Sequence, residues 1–124
     1  MWPFFSLLKK GDNMVFTDSL RKNHEFQSVF KSGRSYANKL FVMYVSKNQL
    51  GRNRIGISVS KKVGNSVVRH HMKRLVKESY RLHEEMFNSG LDIVVIGRNN
   101  AASATFRETE RALLHLMKLH GALK

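Results

Sequence analysis

The spacing of apolar positions sorts this chain into helices and strands before any other property is needed. Over "NHEFQSVFKSG", Phe26, Val29 and Phe30 recur at three- and four-residue intervals, which predicts a short helix with one apolar face. Asn23 is its expected N-cap, Glu25 suits the positive helix start, and Gly33 stops it. The same period runs longest over residues 65–87. There Val68, Met72, Leu75, Ser79, Leu82 and Met86 make one stripe with Val76 beside it, capped by Gly64-Asn65-Ser66. A third helix follows a capping box at Thr105-Phe106-Arg107-Glu108, takes an apolar side from Phe106, Leu113, Leu116 and Met117, and ends at Gly121.

Strand patterns fall between the helices. "YANKLFVMYVSKN" and "RIGISVSKK" read as two strands joined by "NQLGRN", a polar, Gly-containing hairpin connection. In the second, Ile55, Ile57 and Val59 form a β-branched face that suits packing on helices, while Gly56, Ser58 and Ser60 form a small face open to close approach. "LDIVVIG" at 91–97 is apolar throughout, as a strand covered on both faces should be. The order helix, strand, strand, helix, strand, helix predicts an α/β sandwich built on one sheet. A single domain over 17–124 accounts for these elements. Residues 1–16 lack a clean period and read as a flexible N-terminal extension, with Met14 as a candidate true start.

Charge changes the picture. The net charge is +13, and from Phe26 to Lys77 there are 12 Lys or Arg and no acid, so the basic groups are segregated rather than mixed. Such segregation fits a polyanion, nucleic acid above all. On the long helix Arg69, His70, Lys73, Arg74, Lys77 and Arg81 fall opposite the apolar stripe, with His71 near the stripe's edge. Glu78, Glu84 and Glu85 lie in the second half, so the basic face is strongest at the helix start, where backbone N–H groups also favour anions.

Catalytic and metal signatures are absent from the sequence. It has no Cys, which excludes disulfides and thiolate metal sites and is compatible with the cytoplasm. It has no His-Glu-x-x-His and no Walker-type glycine loop. No apolar run is long enough to span a bilayer. His24, His83, His115 and His120 share no spacing and read as surface or boundary residues. His70 and His71 could in principle cleave RNA as acid and base, but neighbouring helix residues point about 100° apart and cannot easily flank one phosphate. Asp92 reads as a strand-end or capping residue. On residues alone three classes stay open: a subunit serving a catalytic RNA, a non-catalytic RNA-binding or ribosome-associated protein, and a stand-alone ribonuclease. Phe26 and Phe30 stay open between core and ligand contact.

By residues 58–77, "SVSKKVGNSVVRHHMKRLVK", the chain resembles the protein subunit of bacterial ribonuclease P, with supporting matches in "LRKNHEFQSVFKSGRSYAN" and "GLDIVVIGRNNAA". The resemblance implies an α/β (α+β) sandwich, ribosomal-protein-S5-like. It would have a single mixed sheet of about four strands, three helices and a left-handed βαβ crossover, where the general rule favours a right-handed one. It implies an endonucleolytic ribonucleoprotein that removes the 5′ leader of precursor tRNA. Its RNA subunit carries the catalysis with Mg²⁺ held mainly by the RNA partner and substrate, and the protein supplies no catalytic or metal-binding residue. The implied partners are the ribonuclease P RNA and precursor tRNA, with no membrane and no protein partner required. Phe26, Phe30 and Tyr44 match the family's cleft aromatics, which contact the leader. Lys61, Lys62, Arg69, His70, Lys73, Arg74 and Lys77 match its basic loop and helix. The family's usual Arg-Asn-Arg reads Arg69-His70-His71 here. The change costs one permanent charge at His71 and predicts some pH sensitivity of RNA affinity.

Overall fold

A computed structural model describes residues 17–124 of the chain. The expectations about an extension over 1–16 and a start at Met14 lie outside the described residues. Among the described residues three helices form, α1 (Asn23–Ser32), α2 (Ser66–Leu82) and α3 (Phe106–Leu119). Five strands form as well: β1 (Thr17–Ser19), β2 (Arg34–Ala37), β3 (Phe41–Lys47), β4 (Asn53–Ser58) and β5 (Leu91–Gly97). They pair as one mixed sheet in the order β1-β4-β5-β3-β2. β4 is parallel to both β1 and β5, whereas β3 is antiparallel to both β5 and β2. The helix α2 is therefore the crossover between the parallel neighbours β4 and β5.

Two strand expectations need correction. "YANKLFVMYVSKN" is two strands rather than one, and with the short β1 this raises the count from about four to five. The break falls at Asn38, whose Oδ1 accepts the N–H groups of Leu40 (3.2 Å) and Phe41 (3.0 Å) and so turns the chain. Residues 48–53 are not a hairpin connection, because β3 and β4 do not pair: β5 lies between them. That central place is where an all-apolar strand loses most surface to water. The 48–52 segment instead passes the start of β5, held by Asn48, whose backbone N–H donates to the Gly90 carbonyl at 2.8 Å.

Period-two alternation gives the sheet two unlike faces. Phe41 and Met43 of β3, Ile55 of β4 and Ile93 and Val95 of β5 are buried with Met72, Val76 and Tyr80 of α2 and Leu113, Leu116 and Met117 of α3. Among the described residues the opposite face is covered by α1, with Leu20, Val29 and Val94 buried there. One face thus packs on two helices and the other is half-covered by the described residues.

The long helix is shorter than its pattern and turned from it. It stops at Leu82, and a 3-10 turn takes Glu84–Met86. Leu82 (39%) and Met86 (47%) are exposed, so they leave the buried stripe, whereas Tyr80 is fully buried. The turn follows from Tyr80: its ring packs on Phe87 with centroids 4.9 Å apart, and its hydroxyl bonds Thr17 Oγ1 at 2.8 Å and accepts from Asn53 Nδ2 at 3.2 Å. Asn53 also accepts the Leu91 N–H at 2.9 Å, so one polar hub ties β1, β4, α2 and β5 together. Glu78 is buried as well, forked to Arg81 by bonds of 3.1 and 2.6 Å. At the start of α1, Asn23 is the first helical residue and not the cap. Glu25 closes that end by accepting the N–H groups of Lys22 (3.0 Å) and Arg21 (3.1 Å).

Candidate nucleic-acid interface

The half-covered face is best read by its cross-strand rows. Register places Ser46, Asp92 and Arg54 in one row, Tyr44, Val94 and Gly56 in the next, and Val42, Ile96 and Ser58 in the third. Helix α1 lies over the first two. Its Val29 is buried, and Phe26, Phe30 and Tyr44 pack against that cluster while part of their surface stays exposed. The rings of Phe30 and Tyr44 meet edge to face with centroids 5.0 Å apart. Phe26 rests on Gly56 so closely that a Cβ there would lie 2.5 Å from its Cζ. The small face of β4 thus serves close approach, as expected, though the group approaching is the chain's own Phe26.

Beyond α1 the third row stays partly open, with Val42 and Ile96 as an apolar floor and Ser58 as a hydroxyl at its edge. Aromatic edges beside such a floor suit flat, unstacked rings. The floor residues Val42 and Ile96 escaped sequence reading, because only strand register shows that they share a row with Ser58.

A polar clasp closes the covered end of this face. Arg54 donates Nε to Asp92 Oδ1 (2.9 Å) and Nη2 to Asp92 Oδ2 (2.7 Å), and its Nη1 reaches Glu25 Oε2 on α1 at 3.2 Å. Asn48 Nδ2 adds a bond to Asp92 Oδ1 at 2.7 Å. Burial alone would raise the Asp92 carboxyl, but the bonds from Arg54 and Asn48 outweigh it and hold it below the ordinary range. The backbone N–H groups of Lys22 and Arg21 likewise hold Glu25 low. Asp92, second in β5 and so at the strand's start as expected, is also the partner of a part-buried fork. The cross-strand pairing Arg54↔Asp92 explains it, and nothing in the linear sequence announces that pairing.

From Ser58 the chain runs directly into the basic segment. Lys61 and Lys62 sit in an exposed turn, closed by the Val63 N–H on the Ser60 carbonyl (3.1 Å). Asn65 then caps α2, accepting the Val68 N–H at 3.0 Å, as the pattern predicts. Close packing of this turn demands Gly64, where a Cβ would meet Val68 Cγ1 at 2.8 Å. His70, His71, Lys73, Arg74 and Lys77 are exposed on the following turns. Among the described residues no acid pairs with Lys61, Lys62, Lys73 or Lys77. Arg69 differs from the rest: it is partly buried, with its Nε donating to the Gly64 carbonyl at 3.2 Å, so it also braces the turn. Arg81 is engaged by Glu78. His71 is exposed, one turn from Val67, which is itself 75% exposed.

The sequence-predicted residues therefore fall into two groups: Phe26, Phe30 and Tyr44 on the α1 face of the sheet, and the cations of the turn and helix that follow Ser58 in the chain. Among the described residues no group of three or more His, Asp or Glu side chains gathers as metal ligands, and no helix is long and apolar enough to cross a membrane.

Known proteins share both the sequence and this arrangement of elements. The family model described as Ribonuclease P matches residues 14–120. The ribonuclease P protein component of Lachnoclostridium phytofermentans is 55% identical over 104 residues, covering 84% of this chain and 90% of that protein. Among solved structures, the RNase P protein of Staphylococcus aureus is similar at a TM-score of 0.80 and 36% identity, covering 86% of this chain and 97% of that one. The RNase P protein of Thermotoga maritima is similar at a TM-score of 0.76 and 34% identity, covering 82% and 96%. Agreement over nearly the whole length of those proteins, in fold as well as in sequence, means that the chain belongs to the ribonuclease P protein family.

Proposed function

We propose that this chain acts as the protein subunit of ribonuclease P, binding the catalytic RNA and the 5′ leader of precursor tRNA so that the leader is cut off by hydrolysis. The observation that carries this reading is that partly exposed aromatic and apolar side chains on the α1 face are followed directly in the chain by an exposed, lysine-rich turn and helix. A single strand can lay its bases on Phe26, Phe30 and Tyr44, whatever the sequence, while its phosphates pass toward Lys61 and Lys62. Lys73, Arg74, Lys77 and His70 then face RNA along α2, with Arg69 fixing the turn that presents them.

The chain's own chemistry is binding and orientation. Mg²⁺ supplies charge neutralisation and an activated water in phosphodiester hydrolysis. The described side chains offer no carboxylate cluster that fits the ion, so the RNA partner and substrate would hold it. Packing phosphates together raises the local negative charge, and the cations of α2 lower that cost, so that assembly of the RNAs needs less Mg²⁺. The adjacent histidines are exposed on neighbouring positions of the helix and serve as contacts rather than as an acid–base pair.

Holoenzyme reconstituted with a bacterial ribonuclease P RNA tests the cleft. Phe26→Ala and Tyr44→Ala should each weaken binding of leader-bearing precursor by about fivefold to a hundredfold per lost stacking contact. Mature tRNA, which has no leader, should bind as before. Equal losses on both RNAs contradict a leader role for the cleft.

A further inference from the structure

We infer that Glu25, Arg54 and Asp92 form a clasp that sets the position of α1 over the sheet, and through it the width of the aromatic cleft. They are thus positioning residues for the leader. The inference rests on the cleft's reading as the leader site. Its basis is a division of labour along α1. The helix is anchored to the sheet by apolar contacts: Val29, with Leu20 just before the helix, packs on Val94, and Phe26, Phe30, Tyr44 and Ile96 pack around them. A short helix so held can slide or tilt unless a directional tie fixes it, and hydrophobic contact is not directional. The tie at the N-terminal end of α1 is the Arg54 guanidinium. Two of its nitrogens are committed to Asp92 in the neighbouring strand, and the third reaches Glu25 Oε2.

The arrangement is rigid at each step. Asp92 is buried and takes a further bond from Asn48, so the fork cannot rotate freely. Arg54 and Asp92 are in register across the parallel β4–β5 pair, so both grow from fixed backbone. Glu25 Oε1 accepts the N–H groups of Arg21 and Lys22 while Oε2 accepts from Arg54. One carboxylate thereby closes the helix start and pins it to the sheet.

The next residue is Phe26, whose ring sits on Gly56, two positions along β4 from Arg54. One turn further, Phe30 meets Tyr44. Any movement of Glu25 relative to Arg54 is carried directly to the two rings that face the ligand. Lysine in place of Arg54 would keep the charge but could not fork and reach Glu25 at once.

Glu25→Gln is the informative variant, because it leaves the Arg54–Asp92 fork intact and its amide oxygen can still close the helix start. In the reconstituted holoenzyme it should reduce the preference for leader-bearing precursor over mature tRNA by about twofold to fivefold, the range of a partly exposed ion pair. Mature tRNA affinity should stay the same. The decisive readout is coupling: in a Phe26→Ala background Glu25→Gln should have little further effect on leader preference, since the ring it positions is gone. Additive losses in the two backgrounds overturn the clasp, as does unchanged leader preference in Glu25→Gln when Phe26→Ala lowers it. If Phe26→Ala itself leaves leader preference unchanged, the leader reading falls and the clasp inference with it.

Discussion

Gly56→Ala probes the seat of Phe26 directly, and its sign is informative. In an open strand position this change stabilises, by about 0.5–1 kcal/mol, because glycine loses more backbone freedom on folding than alanine. Here the new Cβ would lie 2.5 Å from Phe26 Cζ, 2.8 Å from Cε2 and 3.0 Å from Leu20 Cβ. The first two contacts can be relieved by moving a ring, but the third involves an atom fixed to the backbone. The net effect should be a loss of about 1–3 kcal/mol, the usual cost of overpacking. That corresponds to a fall in melting temperature of about 5–15 °C for a domain of this size. Urea unfolding followed by far-UV circular dichroism measures the loss, and Phe26→Ala supplies the control. With the ring removed, Gly56→Ala should cost at least about 1 kcal/mol less, a coupling expected only of residues in contact. Equal costs in both backgrounds, or a stabilised single variant, would refute the close seat of Phe26 on β4.

Asp92→Asn should destabilise by about 2–3 kcal/mol, toward the low side for a broken buried pair because Arg54 keeps 26% side-chain exposure. The Asp92 carboxyl is held below its ordinary range in the fold. Its contribution is therefore complete above the unfolded value of about 3.9 and is lost as pH falls through the lower folded value. The gap in urea midpoint between the native chain and Asp92→Asn should narrow from pH 6 to pH 3, and a constant gap contradicts the assignment. Tyr80→Phe should cost about 1–2 kcal/mol by leaving the buried Thr17 and Asn53 groups short of a partner, and a neutral effect in thermal unfolding would discount the hub. Lys73→Ala should weaken RNA binding with a log–log salt slope shallower by about one, whereas an unchanged slope places Lys73 outside the phosphate contact.

What could be read in advance divides along physical lines. Local signals were legible: the caps at Asn65 and Thr105, the stop at Gly121, the two-sided burial of β5 and the small face of β4 each depend on a few neighbouring residues. Pairing was not. The split at Asn38 uses one side-chain turn inside an unbroken apolar pattern. The separation of β3 from β4 depends on β5, some 40 residues later. Tyr80 turned α2 because its hydroxyl found buried partners on β1 and β4, and period alone favoured Leu82 instead. The exposure of the cations on the turn and on α2 was legible from the acid-free segment, since solvated cations need no tertiary partner. The aromatic set was visible as residues but not as a cleft, because its floor of Val42, Ile96 and Ser58 exists only in register. The clasp was the least visible part, joining residues 25, 54 and 92 across three elements.

The central claim is that this chain enables an RNA enzyme rather than cutting RNA itself. The direct measurement is cleavage of precursor tRNA at low Mg²⁺ by a bacterial ribonuclease P RNA, with and without the purified chain. The account predicts strong stimulation of leader removal by the chain together with the RNA, and no cleavage by the chain alone. Failure to stimulate, or cleavage by the protein alone that His70→Ala abolishes, would contradict it.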